Sequence, residues 1–151
     1  MAYTDYSFYK DKYYGDALTE ANAAKWLEMA SDEIDRLTHG RLVYAPPACE
    51  LFSTKVKKAV CAVADALFFI DEQRKASSAQ KAEDGSYRGA VASITSGRES
   101  VSYSAVGASA SSYAAAAASE AEREKLIGNT ACRYLANIPD ANGVNLLYAG
   151  V

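Results

Sequence analysis

The residues of this chain that could do acid–base or nucleophilic chemistry are few, and they form none of the patterns that such chemistry needs. His39 is the only histidine. It stands beside Gly40 at the predicted end of a helix, where its positive charge would favour the helix dipole. No serine lies in a GxSxG turn, and no glycine-rich loop ends in Lys-Ser or Lys-Thr as a P-loop would. The sequence therefore predicts no catalytic residue and no enzyme.

The three cysteines do not form a metal site. Cys49, Cys61 and Cys132 are widely spaced, no pair has CxxC spacing, and only one histidine is present to join them. Cys61 and Cys132 stand among apolar residues of predicted helices, so we expect both to be small buried side chains. No metal and no other cofactor is predicted.

Composition limits the classes of partner. The chain has 151 residues, which predicts a single domain over residues 1–151. Its formal net charge of -3 gives no general affinity for DNA phosphates. No run approaches the roughly 20 apolar residues that cross a bilayer, and residues 1–16 lack the apolar core of a signal peptide. We expect neither a membrane partner nor secretion.

Apolar spacing of three and four residues predicts three helices. The first begins at Thr19 and ends near Gly40. The second begins at Ser53 or Thr54 and is the most apolar, so it should be central. The third begins at Ser119, after a frayed turn in the alanine run 114–118, and ends at Pro139. The expected core joins the first two helices and comprises Leu27, Ile34, Leu37, Val60, Val63 and Leu67.

Three lysines near the predicted start of the second helix stand out. Lys55, Lys57 and Lys58 would lie where the helix dipole disfavours cations. They are candidates for a polar contact with a phosphate or an acidic partner, or they form a solvated face.

Three further segments flank the helices. Residues 1–18 alternate aromatics with charges and predict an irregular, aromatic-rich arm that lies on its own domain or on a neighbour. Residues 92–105, "ASITSGRESVSYSA", predict a β-hairpin or strand-like ribbon. Residues 143–151 form a tail with the apolar run Leu146, Leu147 and Tyr148, which the Asn142-Gly143 turn could fold back. The predicted fold is thus mainly α, a small helical bundle with one ribbon.

Five segments in this order resemble a known family. They are "DYSFYKDKYYGD" at Asp5–Asp16, "ASDEIDRLTHGRL" at Ala30–Leu42, "VKKAVCAVAD" at Val56–Asp65, "SITSGRESVSYS" at Ser93–Ser104, and "NLLYAGV" at the end. Together they resemble the head–tail connector, or adaptor, proteins of tailed bacteriophages that infect Gram-positive bacteria. The family tail tends to have a glycine-rich turn and an arginine before its last glycine, whereas this chain has residues 142–145 and Ala149 there.

The resemblance implies a structural subunit in the virion neck, assembled in the bacterial host cytoplasm. Copies would form a ring, a dodecamer in the virion, between the portal protein and a stopper or tail-completion protein. DNA would pass through the lumen without sequence-specific binding. The ribbon would contact another subunit or the stopper through Ile94, Gly97, Arg98, Val101 and Tyr103. The tail would dock onto the portal through Leu146, Leu147 and Tyr148.

A second class of function stays open. A nucleic-acid-binding packaging protein of phages, such as a small terminase subunit, would also be helical and oligomeric. The net charge of -3 and the absence of a basic recognition helix disfavour it.

Overall fold

In a computed structural model, the protein is described over residues 2–77 and 111–148, and for residues 80–81, 87–88, 93–96 and 99–102 as backbone strands. By its internal contacts the chain divides into two compact units. The first contains residues 1–68 and 124–151, and the second contains residues 69–123. The described residues are mainly helical, which confirms the predicted class.

The described helices and strands follow one another in chain order. The helices are α1 Tyr6–Asp11, α2 Glu20–Leu37, α3 Arg41–Tyr44, α4 Glu50–Ser77, α5 Ser112–Ala118 and α6 Glu120–Leu135. The strands are β1 Gln80–Lys81, β2 Tyr87–Arg88, β3 Ser93–Ser96 and β4 Glu99–Ser102. β1 pairs antiparallel with β2, and β3 pairs antiparallel with β4. In the second pair Ile94 stands opposite Val101.

Helix α2 begins where the sequence predicts. The backbone N–H of Thr19 donates to Asn22 Oδ1 at 2.9 Å, which satisfies one donor at the helix start. At the other end the Thr38 hydroxyl donates to the Ile34 carbonyl at 2.9 Å. His39 and Gly40 then take left-handed backbone angles, with φ of 52° and 72°, and turn the chain into α3.

Helix α4 begins earlier than predicted. It starts at Glu50 rather than at Ser53 or Thr54, and the N–H groups of Phe52 and Ser53 both donate to the Cys49 carbonyl. A glutamate in the first turn suits the helix dipole. The predicted lysines consequently lie beyond the first turn, so the unfavourable dipole position inferred for them was wrong. The helix continues to Ser77.

The core of the first unit joins α2, α4 and α6. It confirms the predicted pairing, because Leu27, Ile34, Val60, Val63 and Leu67 are all buried in one apolar cluster. Leu37, expected in the same stripe, is only partly buried at the edge of that cluster. From α6 and the chain that follows it, the cluster also takes Ile127, Ala131, Leu135, Ile138 and Leu146.

The alanine run is a helix of its own rather than a frayed turn. Ser111 Oγ accepts the N–H of Ala114 at 3.1 Å and begins α5. Within the second unit, the Phe69 and Tyr113 rings pack with their centroids 5.3 Å apart. Helix α6 begins after Ser119 as predicted.

The end of α6 differs from the prediction. The helix stops at Leu135, before Pro139 is reached. Asn137 has a left-handed φ of 62°, which asparagine tolerates better than most residues and which turns the chain out of the helix.

Two glycines give a matched test of this packing. A Cβ at Gly15 would lie 2.1 Å from Cζ of the buried Tyr9 ring, whereas a Cβ at Gly128 in α6 meets nothing within 4 Å. We expect Gly15→Ala to lower the free energy of unfolding by about 1–3 kcal/mol or more. Gly128→Ala should raise it by about 0.5–1 kcal/mol. Urea unfolding followed by circular dichroism measures both, and equal effects of the two changes would contradict the close contact at Gly15.

Candidate interaction surfaces and a buried tyrosine–aspartate cluster

The aromatic arm folds onto its own chain. The prediction of an irregular segment was wrong for residues 6–11, which form α1, capped by Asp5 Oδ1 accepting the Phe8 N–H at 2.8 Å. Tyr9 is fully buried, and its ring lies between the Tyr6 and Tyr13 rings at centroid distances of 6.2 and 5.7 Å. The sequence left open whether these aromatics pack on the chain's own domain or on a neighbour. The structure shows them packed on the chain's own domain.

The hydroxyl of Tyr9 is the centre of a buried polar cluster. It donates to Asp65 Oδ1 in α4 at 2.6 Å and accepts the N–H groups of Ala17 and Leu18 at 3.0 and 3.1 Å. Tyr13 also lies close enough to Asp65 for its side chain to favour the ionised carboxylate. The Tyr9 hydroxyl thus donates one hydrogen bond and accepts two, so its hydrogen-bonding capacity is fully used.

Burial governs the ionisation of this cluster. It raises the pKa of Asp65, and the hydrogen bonds from Tyr9 and Tyr13 oppose that rise. Burial, with the nearby Asp65 carboxyl, also raises the pKa of both tyrosines and raises the pKa of Cys61 to about 12. The hydroxyls and the thiol thus stay protonated at neutral pH. A protonated tyrosine hydroxyl can donate a hydrogen bond to Asp65, so the cluster is suited to holding the arm.

Sequence inspection missed Asp65, although a signal was present. The residue is a lone carboxylate in the apolar run "CAVADALFFI" of the most apolar helix. A charged side chain in such a place is rarely buried without a partner. Its partners are 56 and 52 positions away in sequence, so only the tertiary structure identifies them.

The three predicted lysines do not form a uniform basic patch. Lys55 is exposed, whereas Lys57 and Lys58 are half-buried. The Lys57 ammonium lies 5.5 Å from the centroid of the Phe8 ring, within reach of a cation–π interaction. Lys57 also borders an open groove of about 590 Å³ together with Asp5 and Asp11. The carboxylates beside it disfavour a free phosphate there.

The predicted tail residues have different environments. Leu146 is fully buried, and its N–H donates to the Ile138 carbonyl at 2.9 Å. Leu147 is partly buried against the core, and Tyr148 is 49% exposed. The Asp140 carboxylate accepts the N–H groups of Asn142 and Val144 at 2.8 and 2.9 Å, so the predicted turn does fold the tail back. Leu146 is therefore unavailable for docking, and a portal contact through the rest stays a prediction.

Arg41 joins the tail to α3. Its Nε donates to the Tyr148 carbonyl at 3.2 Å, and its Nη1 lies 3.6 Å from Asp140 Oδ2. Its guanidinium carbon lies 5.9 Å from the centroid of the Tyr148 ring. Arg41 also lines an open groove of about 410 Å³ with Tyr44 and Asn142. We call the surface formed by Arg41, Tyr44, Asn142 and Tyr148 the α3–tail surface.

Large apolar side chains are exposed on α3 and at the start of α4. Val43 is 60% exposed, Tyr44 88% and Leu51 73%. The sequence offered a signal in "RLVYAPPACELF", where apolar residues flank two prolines without helical periodicity, but we did not predict these residues as a surface.

The predicted ribbon residues are described only in part. Gly97, Arg98 and Tyr103 lie outside the described residues. Ile94 and Val101 are described as opposite positions of β3 and β4. Their predicted contacts with another subunit or a stopper stay predictions.

The cysteine prediction was half right. Cys61 is buried as expected, but Cys132 is exposed, like Cys49. Cys132 follows the buried Ala131, and one helical step of about 100° turns it away from the core. Over the described part of the chain, no three histidine, cysteine, aspartate or glutamate side chains come together in a way that could hold a metal ion. No described helix is long and apolar enough to cross a membrane.

Comparisons with protein-family models, with curated proteins and with solved structures found no match for this chain. The resemblance to phage connectors therefore depends on the five sequence segments alone.

Proposed function

We propose that this chain is a head–tail connector subunit of a tailed phage. Copies form a ring in the virion neck between the portal protein and a stopper or tail-completion protein, and DNA passes through the lumen. A ring follows when each copy offers two different complementary surfaces and the rotation between copies closes.

The α3–tail surface is the observation that carries this proposal. Tyr44 has 88% of its surface in water, and Tyr148 is half-exposed with its ring near the Arg41 guanidinium. Tyrosine and arginine are enriched in protein–protein interfaces relative to the rest of a protein surface.

The ribbon is the second contact in this proposal. Residues 92–105, which include β3 and β4, contact a neighbouring copy or the stopper through Ile94, Gly97, Arg98, Val101 and Tyr103. A two-stranded ribbon is marginal by itself in water, and pairing at its open edges would stabilise it. The net charge of -3 suits a conduit, because a strongly basic lumen would retain DNA.

Substitution at Val101 tests the proposal. Mixed with the portal protein of the same phage, the unchanged chain should form rings visible by negative-stain microscopy and should co-sediment with the portal. Val101→Asp should leave the helical circular dichroism signal unchanged and abolish the rings, because an aspartate would face an apolar contact. Ser100→Asp adds the same charge one position along β4 and should be milder, since neighbouring strand residues point to opposite faces.

Two results would count against the proposal. Normal rings with Val101→Asp would restrict the ribbon to contacts within one chain. Failure of the unchanged chain to bind the portal, together with tight DNA binding at physiological salt, would favour the packaging-protein alternative.

A further inference from the structure

Residues 2–18, which we call the strap, are bonded internally as one unit. Among the described residues, every backbone–backbone hydrogen bond of the strap has both partners within it, for example Gly15 N–H to the Tyr9 carbonyl at 3.0 Å. Side chains add to this, because Lys10 Nζ donates to the Gly15 carbonyl at 2.9 Å and Ala17 donates to the Tyr9 hydroxyl. The strap can therefore move without losing its own backbone bonds.

The hydrogen bonds that tie the strap to the helices use hydroxyl and carboxyl groups. Tyr3 donates through its hydroxyl to Asp35 Oδ1 at 2.5 Å and through its N–H to Ser31 Oγ at 3.1 Å, both in α2. Tyr9 donates to Asp65 in α4. No backbone ladder continues from the strap into α2 or α4 over the described residues, so these few polar bonds and the aromatic packing hold it in place.

The closed position contains two unfavourable groups. Thr4 Oγ1 is buried and has no partner with ordinary hydrogen-bond geometry among the described residues, and the Cys61 sulfur near it is only a weak acceptor. A buried hydroxyl without a good partner is unfavourable, because it has lost its hydrogen bonds to water. Asp65 is a carboxyl group whose charged form is disfavoured by burial. Release of the strap would return both groups to water.

Most buried members of the core cluster come from the helices rather than from the strap. Tyr9 and Leu18 are the strap residues buried in the cluster, whereas α2, α4 and α6 supply most of the other buried members. The other strap residues that pack against the cluster are only partly buried, namely Ala2, Tyr3, Tyr6, Phe8 and Tyr13. A segment that is bonded internally and lies at the edge of the core is typical of a region that opens at lower free energy than the whole protein.

We propose that the strap opens as a unit while α2, α4 and α6 stay folded, with the Tyr9–Asp65 hydrogen bond as its latch. Opening uncovers Cys61 and Asp65 on α4 and Ser31 and Asp35 on α2. These groups then form a polar strip on a helical surface that the closed strap hides.

The Cys61 thiol reports this opening. It is fully buried, and Thr4 and Tyr13 of the strap interact with it. A chain with Cys49→Ser and Cys132→Ser leaves it as the sole cysteine. We would measure the rate of its reaction with a maleimide by mass spectrometry at several urea concentrations, alongside global unfolding by circular dichroism. Without urea, the thiol should react about tenfold or more faster than global unfolding allows, and this rate should depend weakly on urea.

Variants of the latch, made in the same chain with Cys61 as its sole cysteine, test whether the Tyr9–Asp65 hydrogen bond controls the opening. Tyr9→Phe removes the hydroxyl that holds Asp65, and it should raise the labelling rate by about tenfold or more with a smaller change in global stability. Tyr6→Phe is the matched control, because it removes a hydroxyl from the ring stacked on Tyr9 without removing the bond to Asp65. If Tyr9→Phe impairs folding, Tyr3→Phe serves instead, since it cuts only the bond to Asp35.

The outcomes are distinct. Labelling that follows global unfolding at every urea concentration would overturn the proposal. The proposal would also be wrong if Tyr9→Phe, Tyr3→Phe and the control Tyr6→Phe all changed the labelling rate equally. None of these results depends on ring formation or on the portal.

Discussion

Leu67→Ala should lower the free energy of unfolding by about 2–5 kcal/mol. Leu67 is 4% exposed in the α2–α4–α6 core, beside other fully buried side chains. Truncation to alanine removes apolar contact area and leaves a cavity, because a closely packed core relaxes only partly around a deleted side chain. Urea unfolding followed by circular dichroism measures the loss.

The matched control for this change is Leu51→Ala. Leu51 is in the same helix, and 73% of its surface is in water. The same truncation there should change stability by no more than about 0.5 kcal/mol. Similar losses at the two positions would show that the apolar stripe of α4 is not the centre of the core.

Leu146→Ala should have an effect of the same size, about 2–5 kcal/mol, although it lies only five residues before the last residue of the sequence. Leu146 is fully buried in the core, and its N–H is bonded to the Ile138 carbonyl. A chain end this well attached is part of the fold. Removal of residues 145–151 should therefore lower the melting temperature strongly.

Tyr148→Ala separates folding from docking in the tail. Tyr148 is half-exposed, so its removal should change stability little, while binding to the portal should weaken if the α3–tail surface is a contact. Portal binding that is unchanged by Tyr148→Ala would remove the tail from the proposed interface. A melting temperature unchanged by Leu146→Ala would contradict the burial of the tail.

Local pattern was enough to predict much of the helical framework. The stripe through Leu27 and Ile34, the start of α2 after Thr19 and the start of α6 after Ser119 depend on residues within one or two helical turns. The turn at Asn142-Gly143 is equally local, since Gly143 takes a left-handed φ of 80° that glycine adopts easily. Such features can be predicted from the sequence because they depend on residues that are close together in the chain.

Boundaries that depend on competing local signals were less predictable. Glu50 begins α4 before the serine and threonine at which the helix was expected to begin. In α6, the left-handed angle of Asn137 ends the helix before Pro139 can. Each of these segments contains two residues that could set the helix boundary, and the local pattern alone does not rank them.

The position of the strap and of the tail was decided only by the tertiary structure. Tyr9 meets Asp65 across 56 positions, and Leu146 enters a core whose α2 residues lie more than 100 positions earlier in the chain. Aromatic and apolar runs near the two ends of the sequence indicate that these segments pack against an apolar surface. The hydrophobic effect is non-directional, so the pattern does not identify which surface that is. The specific choice comes from polar groups, a buried carboxylate for Tyr9 and the Ile138 carbonyl for Leu146, because a buried polar group is stable only where its partner is present.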